Sequence, residues 1–154
     1  MGVRRESRKW AMQILFELEL NNQDADTALR RLWKDSKATE GAKVFTEQLV
    51  HGAVNHMEEI DAVIRKYADN WDIKRINPTD KNVMRVAMYE MLFCEDIPPI
   101  VSINEAVDIA KEFGDVKSGM FVNGILDRAR KDLKRSSREA VPRKPLRAPG
   151  VGPG

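Results

Sequence analysis

A chain of 154 residues, 42% of them hydrophobic, is long enough for one domain with a core of ordinary size. No run of about 18 apolar residues exists to span a membrane. The start MGVRRESRKW has no apolar segment to act as a secretory signal, and the single cysteine, Cys94, excludes an internal disulfide and suits a reducing cytoplasm. The net charge of +2 hides an asymmetry: residues 1–16 carry +3, residues 128–154 carry +7, and the body between them carries −8. Basic ends on an acidic body suit a polyanion at the ends and a basic protein on the body.

Taken in chain order, Trp10, Ala11, Ile14, Leu15 and Leu18 form an apolar stripe that predicts a first helix from about Arg4 to Leu20. Arg4, Arg5, Arg8 and Lys9 crowd its N-terminal half. Cations there oppose the helix macrodipole, so on the sequence alone they add nothing to folding and point to a ligand outside the fold. Asp24 or Asp26 caps a short second helix carrying Ala28, Leu29, Leu32 and Trp33. Thr39 opens a long helical pattern through Tyr67, with room for a break in its middle. Asn77-Pro78 is a cap followed by a proline suited to the first helical position, and Val83, Val86, Ala87, Met91 and Leu92 supply that helix's buried face.

Pro98-Pro99 separates this unit from the next helix, whose start is expected at a Ser102/Glu105 capping box and whose end is expected before Gly114. The stretch Phe121-Val122-Asn123-Gly124-Ile125-Leu126 resembles a tight hairpin, but its arms are too short. A helix capped by Ser118 and continued by Val122, Ile125, Leu126, Ala129 and Leu133 explains more residues. Gly124 inside that helix costs roughly 1 kcal/mol against Ala, which suggests a close approach by another helix or by a ligand. Residues 136–154 hold four of the seven prolines and three of the nine glycines, and are expected to form a disordered basic tail beyond a helical domain at 1–135. The class is all-α.

Catalytic and metal motifs are missing from the pattern. There is no P-loop, no G-x-G-x-x-G, no H-E-x-x-H and no C-x-x-C. His51 and His56 are five residues apart and would not converge on a metal. Cys94 packs as a small apolar group. Glu58, Glu59 and Asp61 read as a solvated helix face, and Met84, Met88 and Met91 read as core. Neither an enzyme nor a cofactor is indicated.

Several blocks stand in order along the chain. They are Arg4-Arg5-x-x-Arg8 leading into Ala11-Met12-Gln13-Ile14-Leu15-Phe16, then Asp80-Lys81-Asn82-Val83-Met84-Arg85-Val86-Ala87-Met88-Tyr89-Glu90-Met91, then Asp96-Ile97-Pro98. Ile103 to Lys111 (INEAVDIAK) and Phe121 to Asp127 (FVNGILD) complete the set. Together, at this spacing, they resemble the NusB family of bacterial transcription antitermination factors. The resemblance implies two small antiparallel helical bundles of about seven helices in all. It implies binding to the boxA element of ribosomal RNA leader transcripts as single-stranded RNA, and a heterodimer with NusE, the small-subunit ribosomal protein. The pair then joins RNA polymerase with other Nus factors.

Carried over by position, Arg4, Arg5 and Arg8, with Lys9 beside them, match an RNA-contacting basic motif. Lys117, Ser118 and Phe121 match a second RNA-contacting region, and Asp80 matches an acidic position facing NusE. Glu6 and Ser7 interrupt the basic run, so phosphate contacts are expected to be fewer than in denser relatives. Phe121 suits a core role as well as an RNA contact. Two alternatives accompany this reading. One is a homodimeric RNA-binding regulator; the other is a stand-alone relative of the N-terminal RNA-binding domain of RNA cytosine methyltransferases.

Overall fold

The computed structural model describes residues 2–69 and 71–133, and among them seven α-helices and one 3-10 turn account for the regular structure. The helices are α1 (Val3–Asn21), α2 (Ala25–Lys34), α3 (Glu40–Asn55), α4 (Met57–Tyr67), α5 (Pro78–Phe93), α6 (Pro99–Phe113) and α7 (Val116–Lys131), with the 3-10 turn at Ile73–Arg75. Helices α1–α3 form one antiparallel bundle and α4–α7 the other. Helix α5 packs against α1 and α3 as well as against its own bundle, so a single core runs through both. The all-α expectation holds. The tail at 136–154 lies outside the described residues.

Most helix ends follow from local chemistry. Asp24, Thr39 and Asn77 accept backbone N–H bonds from Thr27, Ala42 and Thr79, and Pro78 occupies the first turn of α5. The long helical pattern breaks at His56, which separates α3 from α4.

Three local expectations are corrected. Helix α6 begins at Pro99, not at Ser102, because an extended Pro98 and a proline at the first helical position start it three residues earlier. Ser102 therefore lies inside the helix, buried, and its hydroxyl donates to Glu90 Oε1 at 2.7 Å. Helix α7 is capped by Asp115, whose carboxylate accepts from the Ser118 N–H at 3.0 Å; Ser118 is the bonded amide, not the cap. Gly124 is no packing point, since a Cβ built there meets nothing within 4 Å. The close approach occurs at Gly52, where a Cβ would lie 2.1 Å from the Tyr89 ring.

Charged side chains tie the two bundles together. Arg85 pairs in bidentate fashion with Asp61 and also reaches Glu19, while Lys81 and Asn82 converge on the same Glu19 carboxylate. Asp61 is thus a bridging acid rather than part of a solvated face. No buried side-chain nitrogen or oxygen among the described residues lacks a hydrogen-bond partner.

Candidate nucleic-acid interface

The cationic half of α1 lies across α6 and the end of α5. Arg8 is the most buried of its four cations, with 5% of its side chain exposed, and forms two bonds of 2.7 and 2.9 Å with Glu90, which is 1% exposed. Arg5 donates to both oxygens of Glu105, at 2.9 and 2.7 Å, and to Asp108 at 2.8 Å. Lys9 reaches Glu112 at 2.9 Å and Glu6 at 3.4 Å. The hydrogen bond from Arg5 holds the Glu105 carboxyl below its ordinary range, against the opposing effect of burial. The same bond raises Arg5, and the Glu112 bond raises Lys9.

These pairs correct the view that the α1 charges give folding nothing. The sequence pattern missed them because the partners lie about 80–100 residues away, and helical periodicity carries no information across that distance.

Arg4 differs from the other three. It is exposed, pairs with no carboxylate among the described residues, and holds its guanidinium 4.3 Å from the centre of the Phe45 ring. An open groove of about 280 Å³ runs beside it, walled by Arg4, Arg5 and Arg8 on one side and by Ile97, Pro98 and Val101 on the other. Asp96 and Glu105 also line it, so its charge is mixed.

The second predicted region sits at the start of α7. Lys117 is exposed, Ser118 is half-buried, and Phe121 is half-buried with its ring edge-on to Trp71, at 5.6 Å between centres and 71° between planes. Phe121 thus packs on the core and keeps an outer face. Helix α6 joins the two regions: its carboxylates Glu105, Asp108 and Glu112 hold α1, and its C-terminal end leads directly into the α7 cap.

Asp80 is 6% exposed and lies under the start of α7, close to Ser118. Burial raises its pKa, the Ser118 side chain opposes this, and the nearby Asp115 charge adds to the rise. Asp80 and Ser118, predicted to serve different partners, are therefore in contact. Next to them Met12, Gln13, Phe16, Thr79 and Phe113 line an apolar hollow of about 210 Å³. Phe113 is 41% exposed beside it.

Among the described residues no three His, Cys, Asp or Glu side chains are grouped to hold a metal ion, and no helix is long and apolar enough to cross a membrane. His51 pairs with Asp26, His56 stacks on Phe93, and Cys94 is buried.

Comparison with known proteins gives a consistent result. The NusB family model matches residues 5–131. The transcription antitermination protein NusB of Syntrophus aciditrophicus is 42% identical over 127 residues, which cover 82% of this chain and 79% of the relative. That of Bacillus subtilis is 39% identical over 133 residues, covering 86% and 98%. A solved NusB from T. maritima superposes with a TM-score of 0.78 at 36% identity, covering 90% of this chain and 93% of that one. A crystal structure of antitermination factors NusB and NusE in complex with dsRNA contains a chain that matches with a TM-score of 0.78 at 29% identity, covering 86% and 99%. With the family match spanning most of its length and the same helical fold, this chain belongs to the NusB family.

Proposed function

We propose that this protein is a transcription antitermination factor that binds boxA RNA, as an unpaired strand, together with NusE, and acts in the cytoplasm on RNA polymerase alongside other Nus factors. It works by binding and positioning, not by catalysis. The observation that carries the RNA assignment is Arg4. It is an exposed guanidinium without a carboxylate partner among the described residues, stacked on an aromatic ring at the mouth of a groove. An exposed guanidinium, held in place over a buried ring at the edge of a groove, is suited to the phosphates of an unpaired strand. Arg5 and Lys9 contribute by exchanging part of their α6 pairing for phosphate. Arg8 chiefly holds the groove wall, and Lys117, Ser118 and Phe121 extend the track.

NusE occupies the hollow beside Asp80. Phe16 and Phe113 supply apolar contact there, and Asp80 fixes the α7 start through Ser118 while adding its charge to the acidic body. Residues 1–135 form the binding unit, and removal of 136–154 is expected to leave the melting temperature unchanged.

The experiment is a titration of a fluorescent boxA oligonucleotide with this protein, with and without NusE. Tighter binding in the presence of NusE supports the reading. Equal affinity for boxA and an unrelated strand under both conditions contradicts it. Light scattering on the same samples distinguishes a heterodimer from a homodimer.

A further inference from the structure

Trp71 is unexplained by folding. It is 57% exposed, whereas the other two tryptophans, Trp10 and Trp33, are half-buried and pack edge-on against each other. Beside the half-buried Phe121 it makes a contiguous aromatic patch at the surface. Trp71 stands edge-on to Phe121, so the two rings form an open corner.

Helix α7 supplies the other walls. Lys117, Phe121, Gly124 and Arg128 recur at steps of four, three and four residues and so share one helix face. Arg128 pairs with Asp69, two positions before Trp71 in the sequence, at 2.6 Å. Gly124, between Phe121 and Arg128, leaves empty space where a side chain would stand, although glycine weakens a helix interior. Gly124 stands about one turn from Phe121 on this same face, and no neighbour fills the space above it.

We propose that Trp71 and Phe121 form a clamp for one unpaired RNA base, with Gly124 as the floor that lets the nucleotide backbone approach the helix and Lys117 as its phosphate contact. The inference deepens the RNA-binding reading and rests on it. RNA is the favoured occupant because the corner offers π-faces to a base, lies next to the exposed Lys117, and continues the second RNA region through Phe121.

Tryptophan fluorescence tests it on the full chain. Titration with single-stranded boxA RNA should quench the emission of the parent, and the W71F variant should lose most of that quenching. W71A should bind about tenfold more weakly. G124A should raise the melting temperature, as Gly→Ala in a helix does, yet weaken RNA binding by blocking the floor.

RNA binding without Trp71 quenching, together with parental affinity in W71A and G124A, would overturn the clamp and leave the proposed function standing. No RNA binding by the parent, with or without NusE, would overturn both.

Discussion

Arg8 illustrates how one residue type can serve two ends of the same motif. Its charge is neutralised inside the protein by Glu90, which also accepts from Ser102. Arg8→Ala strands a buried carboxylate, so we expect a loss of about 3–5 kcal/mol in denaturant unfolding. Replacing Arg8 and Glu90 together by apolar residues of similar volume should recover most of it. Arg4→Ala should instead leave the unfolding midpoint unchanged and weaken RNA binding. Removing one phosphate-binding cation from a single-strand interface lowers the salt slope by about 0.7. A parental slope in Arg4→Ala would remove Arg4 from the interface.

At the scale of the elements, the joint between α6 and α7 positions the second RNA region. Asp115 holds that joint by capping α7, so Asp115→Ala should cost about 1 kcal/mol. It should also weaken RNA binding, because Lys117 and Phe121 lie within the first two turns it anchors. If binding is unchanged while stability falls, the joint does not position the interface.

The Asn77-Pro78 start of α5 and the Thr39 start of α3 are legible in the sequence, because caps act within one turn. The start of α6 is not, because Ser102-x-x-Glu105 satisfies the capping-box pattern while its side chains are engaged by Glu90 and Arg5 from other helices. Gly124 misleads for the complementary reason. A glycine in a helix marks missing volume, and the sequence does not tell whether a neighbour or open space fills it.

Across the whole molecule, the acidic body and the basic ends are coupled by ionisation. Glu105 titrates below its ordinary 4.5 because of the Arg5 bond. Its stabilisation is complete above the unfolded value and is lost as pH falls through the lower folded value. Glu105→Gln should therefore flatten the acid limb of the stability curve.

Asp80 has the opposite sign. Its folded pKa is raised, so its ionised form costs stability at neutral pH, and that cost is relieved as pH falls through the folded value. Asp80→Asn should be more stable than the parent at pH 7, with the difference shrinking in acid. If Asp80→Asn is less stable at pH 7, then the Ser118 interaction outweighs burial.

The fold class, the helix order and the cationic stripe are readable because they rest on periodicity and composition. The ion pairs joining α1 to α5 and α6, the exposure of Trp71 and the hollow beside Thr79 are not. They depend on residues that only tertiary structure brings together.

The most direct test of RNA binding through the α1 groove is a boxA titration of the parent and of Arg4→Ala, each with NusE, over a range of salt concentrations. The account predicts weaker binding by the variant, a salt slope smaller by about 0.7, and an unchanged melting temperature. Equal affinity and equal slope for the two proteins would contradict it.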